Sequence, residues 1–596
     1  MRVTNENTEE FSKKWFLDLI PYLVLVALVE LVAVLSWIGP YPSKVKLIVA
    51  FLIPYVLVLI CGTVSLFHRW MVTVWQFVVT QVKSLRNHHW KKGLLMVLAD
   101  VVAASVAERI LAWIGDGSLT AAYNFRKAIF AFVVLFVISL FVVFRDEMRT
   151  RVEIIIFFVI MSIGTAYVTT MPVSCGISWD DETHFHYTIY VAHMLHGNMN
   201  EGDAAILTQF YSTAVDHALY TEEEHSAWLE QLNAAGASGV SGADGRVWPK
   251  LEYWCYIPAA IGYNVGLALH LPYMFTFILG QWCNLLVYAL LIYFAVKRIK
   301  TGKMLVACVA MLPPNILMAT TYGRDAYMIG FIMLGFCYLM GELQEPEKKL
   351  TVWDMVIIVG SFFLGVMPKA VYGPLVLMAL CLPKSKFKTQ KQCRIYRACV
   401  IGVTVLVMAT FVLPFLASGG GSVEDPRGGA DVGAASQTSF MLAHPLQYLV
   451  ILFNFMKGYL SLAAAQQGLG AMHYFGASPY SLLLIVLLFV VACTDREESY
   501  ERRIKLPVRI VGVVMSLGAL ILCATAMYIA FTPVGSETIL GCQWRYQMQV
   551  MFPMLYLIFG IPLNNKMDKL WYRGIVLGIS SFVVMQALWT NCIATF

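Results

Sequence analysis

The sequence predicts an all-α polytopic membrane protein, and three observations carry that expectation. Hydrophobic residues make up 59% of the 596 residues and charged ones 13%, with a mean hydropathy of +0.68. A soluble chain of this size has no core large enough to hide so much apolar surface. The apolar residues fall in runs approaching the roughly 20 residues that a helix needs to cross about 30 Å of hydrocarbon. The basic residues collect between those runs.

Taken in order, apolar runs cover Phe16–Trp37, Lys46–Phe67, Gly93–Ile114, Lys127–Phe144 and Glu153–Pro172 before a long polar loop. Further runs cover Thr276–Val296, Met304–Ala319, Ala326–Met340, Val352–Met367, Val371–Leu382 and Ala398–Ala417. The last are Ser481–Ala492, Val508–Phe531, Met548–Ile561 and Gly574–Thr590. The expectation is about 15 transmembrane helices. Met1–Trp15 is polar, with neither a short apolar core nor a small-residue cleavage site, so Phe16 onward reads as a permanent span rather than a signal peptide.

Dense basic clusters occur at Lys83–Lys92, Arg145–Arg151, Lys297–Lys303, Lys384–Arg397, Arg496–Lys505 and Lys566–Arg573. All fall on one side, the cytoplasmic one, only if Tyr256–Leu271 and Pro445–Leu462 do not cross. Those two are therefore expected as interfacial or re-entrant helices on the outer side. The N-terminus is then cytoplasmic, and the modest net charge of +6 speaks for orientation in a lipid bilayer rather than nucleic-acid binding. The expected organisation is an N-terminal transmembrane extension over 1–150 and a transmembrane core over 151–596, which includes an outer loop subdomain at 174–255.

Within that loop Thr221-Glu222-Glu223-Glu224 reads as a helix start with Thr221 as N-cap, and Ala234–Gly245 as a small-residue turn. Ser418–Ala435, with Gly419–Gly421, reads as an outer loop, since it lacks the strand–loop–Lys context of a phosphate-binding loop. The 13 cysteines include no C-x-x-C pair and are expected to pack; a disulfide between Cys175 and Cys255 stays open. Glu30, Asp100, Glu108 and Arg109 fall inside N-terminal spans, where polar contacts between helices are favoured over a proton path.

The chemistry concentrates at Trp179-Asp180-Asp181-Glu182-Thr183-His184-Phe185, just past the end of a span. Charged groups are costly there and are usually functional. Repulsion between Asp180 and Asp181 raises the pKa of one of them, a state suited to general-base work. The plainer reading is that Asp180–Glu182 caps the helix starting near His184, and the two are compatible. Arg324, Lys369 and Arg545 each stand alone at the outer end of a span, against the positive-inside trend, which points to an anionic partner such as a lipid phosphate. The plainer alternative is snorkelling to headgroups. His184, His186, His193 and His196 lack zinc-site spacing, and no dedicated metal site is expected. A divalent cation held by Asp180 or Asp181 with a substrate phosphate is an open option.

Asp180-Asp181-Glu182-Thr183-His184-Phe185 resembles a D-E-x-x-H-F motif, with Asp181 for Glu, and Asn284-Leu285-Leu286 resembles R-x-x-N-L-L, with Gln281 for Arg. Asp325-Ala326 resembles an S-x-D-A turn, with Gly323 and Arg324 in place of the usual residues. Lys369, Tyr372 and Pro374 match K-x-x-Y-x-P; Gly541, Gln543, Arg545, Tyr546 and Pro553 match G-x-Q-G-R-Y and its later Pro, with Trp544 for the second Gly. From Glu153 to the C-terminus the chain thus resembles the bacterial membrane family of the domain of unknown function 2142, related to the GT-C class of polyprenyl-phosphate-sugar glycosyltransferases. The resemblance implies a GT-C-like bundle in a bacterial cell membrane, with its active site outside the cytoplasm. It implies a lipid-linked sugar donor, a cell-envelope glycan or glycolipid acceptor and no certain further cofactor. Asp180, then Asp181, would be catalytic with His184 orienting. Glu182, Arg324, Asp325, Lys369, Tyr372, Gln543, Arg545 and Tyr546 would bind substrate. A transporter, flippase or polymerase of lipid-linked glycans, or a scaffold for other envelope enzymes, is the rival expectation.

Overall fold

The computed structural model describes residues 3–37, 44–88, 90–117, 122–193, 199–213, 222–237, 240–241, 250–417, 425–429, 431–501, 503–559, 563 and 565–594. His196, Thr221, Gly419–Gly421 and half of the expected Ala234–Gly245 turn lie outside them, and Ala234–Ala237 belongs instead to the end of the helix Glu222–Ala237. The described chain is largely helical; a two-stranded antiparallel pairing of Met199–Asn200 with Val240–Ser241 ties the loop expected at 174–255.

Among the described residues, eight helices are long and apolar enough to cross a membrane, and up to ten if each bent helix pair is one span. The eight are Trp15–Leu35, Phe125–Val143, Val152–Thr170, Tyr273–Arg298, Asp325–Gln344, Gln390–Ala417, Leu506–Ala530 and Lys569–Ile593. Helices of that kind do not reach the expected number of about 15. The run Met304–Ala319 is split into helices Lys303–Ala310 and Pro313–Ala319 at Pro313-Pro314, since proline lacks the N–H that would continue the first helix. The run Val371–Leu382 is a 3-10 helix, Ala370–Cys381, with Pro374 inside it. Val352–Val366 and Ser481–Thr494 are helices of 15 and 14 residues. Trp90–Asp116 is long, at 27 residues, but carries Asp100, Glu108 and Arg109.

The two segments expected not to cross are a short helix and one arm of a bent helix pair. Ile257–Ala268 is a 12-residue helix that leaves Ile257 and Ile261 exposed. It lies close against Tyr273–Arg298 because a Cβ at Gly262 would meet the Leu279 carbonyl oxygen at 2.3 Å. Ala434–Ala443 and Pro445–Tyr459 meet at a 107° bend. Two of the acids in the N-terminal helices make polar contacts. Ser139 Oγ donates to Asp100 at 2.8 Å; Glu108 pairs with Arg109 and accepts the Asn124 N–H at 2.9 Å. All 13 cysteines are free, so the Cys175–Cys255 disulfide is absent.

The core is one large apolar cluster built around Val152–Thr170, Tyr273–Arg298 and Asp325–Gln344. At one end of it, fully buried Glu342 is flanked by Arg298, by Lys348 at 2.5 Å and by Lys386 at 2.9 Å. Glu345 adds pairs with Arg298 and Lys300, both at 3.0 Å. The motifs that carry the chemistry gather at the opposite end, where Val152–Thr170 and Val352–Val366 finish and Asp325–Gln344 and Met548–Ile558 begin.

Candidate active site

Asp180 immediately precedes the helix Asp181–Ala192 and adopts a left-handed backbone, φ 52° and ψ 28°, which aspartate tolerates better than most residues. Its side chain makes no capping hydrogen bond, so the expectation that it caps this helix is corrected. The carboxylate is drawn elsewhere: Arg545 Nη2 donates to Oδ2 at 2.5 Å, and Arg427 Nη1 donates to Oδ1 at 3.0 Å. Charge-assisted hydrogen bonds of this kind are about twice as strong as neutral ones and outcompete a cap.

Arg545 sits in the single turn Trp544–Gln547 ahead of Met548–Ile558 and is almost fully buried. That turn follows Gly541, at φ +73°, where a Cβ would strike Met527 and Phe531 at 2.6 Å; only glycine fits. Trp544, standing where the motif has glycine, lies against Gly468, whose missing Cβ makes room for the indole. The guanidinium fans out to Asp180, to the Trp179 carbonyl at 3.3 Å and to Asp325 Oδ2 at 3.4 Å. Asp325 Oδ1 accepts from Gln549 Nε2 at 2.7 Å, and the Tyr372 hydroxyl reaches Gln549 Oε1 at 3.2 Å and the Tyr546 carbonyl at 2.8 Å. One polar chain therefore runs from Asp425 through Arg427, Asp180, Arg545, Asp325 and Gln549 to Tyr372, joining residues far apart in sequence.

The remaining predicted residues flank this chain. Lys369 Nζ lies 3.2 Å from the centroid of the Tyr546 ring, a cation–π contact. Arg324 donates to the Pro368 carbonyl at 3.2 Å, joining the Thr321–Asp325 turn to the Lys369 segment. Asn284 Nδ2 braces that turn through the Thr321 carbonyl at 2.9 Å. Asp181 is fully buried; Oδ1 accepts the Tyr322 N–H at 2.9 Å, while Oδ2 has no partner among the described residues. His184 Nδ1 shares a 2.8 Å hydrogen bond with the Tyr256 hydroxyl, whereas His186 stacks on Tyr190 and belongs to another face. Tyr372 is fully buried behind the site, and Gln543 contributes its carbonyl to Tyr459 at 2.7 Å.

Electrostatics divides the two acids. Burial raises the pKa of Asp180, but the charge of Arg545 and the hydrogen bonds from Arg427 and Arg545 outweigh it, holding Asp180 well below the usual carboxylate range. Burial raises Asp181 well above its ordinary value, with the charges of Glu182 and Asp180 adding to it and the Tyr322 N–H opposing it. The sequence expectation that one of the pair rises is met by Asp181. Burial, with the Arg324 charge, lowers His184 to about 3, so its imidazole is neutral. Several buried polar atoms here have no hydrogen-bond partner among the described residues: Asp181 Oδ2, Glu182 Oε2, Gln543 Oε1, Trp544 Nε1 and Arg545 Nε. Each such atom costs about 1–3 kcal/mol unless something satisfies it, so the site is built with spare donors and acceptors. Among the described residues no group of three His, Cys, Asp or Glu side chains is placed to hold a metal ion, and both Asp180 oxygens are taken by guanidinium groups.

Sequence reasoning missed Arg427 and Gln549. Arg427 was legible by the same rule as the other lone cations, being the single basic residue between Arg397 and Lys457. Gln549 carries no charge, and nothing local marks it. Residues 174–558, well over half of the chain, match the family described as "Predicted membrane protein (DUF2142)". No curated protein and no solved structure matches the chain. The interval holds every residue of the polar chain from Asp180 to Gln549, and the protein belongs to the DUF2142 family of membrane proteins.

Proposed function

We propose that this protein is a glycosyltransferase of GT-C type, moving a sugar from a polyprenyl phosphate to a cell-envelope glycan or glycolipid on the extracytoplasmic side of a bacterial plasma membrane. The observation that carries the reading is a partly exposed Asp180 held by arginines, with the further cations Lys369 and Arg324 at the same end of the bundle. The acceptor hydroxyl attacks the anomeric carbon and gives its proton to Asp180. The bond from that carbon to the phosphate oxygen breaks, and the electron pair leaves with the phosphate, whose charge Arg545, Lys369 and Arg324 meet. His184, neutral and tied to Tyr256, orients the acceptor rather than acting as a cationic acid.

Two further features support the reading. The opposite end of the bundle carries Lys297, Arg298, Lys300, Lys303 and Lys386, which the positive-inside rule assigns to the cytoplasm. An apolar groove of about 450 Å³, lined by Leu271, Phe275, Ile278, Leu279 and Trp282, opens beside the outer half of Tyr273–Arg298 and suits a prenyl chain. The test is purified full-length protein given polyprenyl-phosphate sugars and candidate acceptors. Release of free polyprenyl phosphate with sugar on the acceptor supports transfer; movement of the intact lipid across a vesicle without release points to a transporter instead.

A further inference from the structure

We propose that the Asp180 carboxylate is an internal counter-anion, occupying the place between Arg427 and Arg545 that a phosphate group takes when it binds. The inference rests on the reading of this end as a phosphate-handling site, but adds Arg427 to it and gives Asp180 a gating role.

The geometry supports an exchange. Each Asp180 oxygen faces a different guanidinium, at 2.5 and 3.0 Å, and a tetrahedral phosphate with oxygens to spare can bridge the same pair. Exposure grades outward along the three groups: the side chain of Arg545 is 4% exposed, Asp180 29% and Arg427 65%. An anion arriving from the rim meets Arg427 first and finds Asp180, not a wall of apolar side chains, between it and Arg545. Arg545 has an Nε with no acceptor among the described residues.

Asp180 makes no capping hydrogen bond at the N-terminus of Asp181–Ala192, so the two arginines are the groups that hold its carboxylate. The exchange also couples binding to chemistry. While both arginines hold Asp180 its basicity is suppressed; once the phosphate takes the arginines, the carboxylate returns toward its ordinary range and can accept a proton beside the bound donor.

The test is equilibrium binding to full-length protein in detergent, by calorimetry, with inorganic phosphate and dodecyl phosphate as separate probes. Asp180→Asn removes the competing charge and keeps a residue that tolerates the left-handed backbone; it is expected to bind about tenfold more tightly, equivalent to about 1.4 kcal/mol. Tightening for dodecyl phosphate alone supports the exchange with a lipid headgroup as the source, and tightening for both probes supports it with free phosphate included. Unchanged or weaker binding of both probes overturns the proposal. Arg427→Gln, on an exposed side chain, serves if Asp180→Asn does not fold: about tenfold weaker binding is expected, and unchanged binding overturns the proposal. Neither measurement involves turnover. Exchange without any sugar transfer sinks the transferase reading alone, and transfer by the unmodified protein with no tightening in Asp180→Asn sinks the exchange alone.

Discussion

The two ends of the helix bundle each bury a knot of charged residues, and they differ in how the charges are closed. At the Glu342 end a fully buried carboxylate is surrounded by Arg298, Lys348 and Lys386, with Lys386 itself fully buried. At the Asp180 end the central ion pair is just as close, yet neighbouring polar atoms on Asp181, Glu182, Gln543 and Arg545 stay without partners among the described residues, and Arg427 reaches in from an exposed position. Ion pairs that serve architecture are enclosed by opposite charge on the chain itself. Groups left to meet a ligand keep donors and acceptors in reserve and have shifted pKa values in both directions, as Asp180 and Asp181 do. The comparison sets a charge knot closed by three cations against one that reaches the rim through Arg427.

Substitutions can break that contrast. The largest effect is expected at Arg545→Ala, which removes the donor common to Asp180, Asp325 and the leaving phosphate; sugar transfer by folded protein should fall by about 10²–10³-fold or more in a steady-state assay. Next is Glu342→Gln, which strips the counter-charge from three cations and should cost about 3–5 kcal/mol of stability in thermal or denaturant unfolding, with transfer per folded molecule unchanged. Loss of transfer there at full stability would erase the distinction between the ends. Gln549→Leu should lie between architecture and function, since Asp325 Oδ1 loses its donor at 2.7 Å; a cost of about 1–3 kcal/mol is expected in unfolding, with a smaller fall in transfer than at Arg545.

The smallest effect concerns pH. His184 is neutral in the folded protein down to about 3, whereas in the unfolded chain it protonates near its ordinary value of 6.5. Between those two values the unfolded state binds the extra proton, so stability falls as pH drops through that window. His184→Gln removes this contribution. The difference in stability between the unmodified protein and His184→Gln, measured from pH 7 to about pH 4, should shrink on acidification; a constant difference would place the His184 titration elsewhere.

Much of this contrast was legible in the sequence because lone charges at span ends are rare. Arg324, Lys369 and Arg545 stood out by that rule, Asp180 by its acidic cluster and Asp325 by its motif, and the structure brings them to one end of the bundle. The basic clusters marked Tyr256–Leu271 as an interrupted run, and it holds only the short helix Ile257–Ala268. What escaped did so for physical reasons. Apolarity alone does not reveal that Pro313-Pro314 divides one run and that Pro374 lies in a 3-10 helix in another, so fewer of the described helices than expected are continuous and long enough to cross. The capping alternative for Asp180 was not dismissed locally because Arg545, which takes the carboxylate, lies 365 residues away. Gln549, uncharged and embedded in an apolar helix, acquires its role only through Asp325.

The central claim is tested most directly by following release of free polyprenyl phosphate from a polyprenyl-phosphate sugar, comparing Asp180→Asn with Glu342→Gln at equal amounts of folded protein. The account predicts that Asp180→Asn abolishes release while Glu342→Gln retains it. Undiminished release by Asp180→Asn would contradict it and return the acidic cluster to a purely structural role.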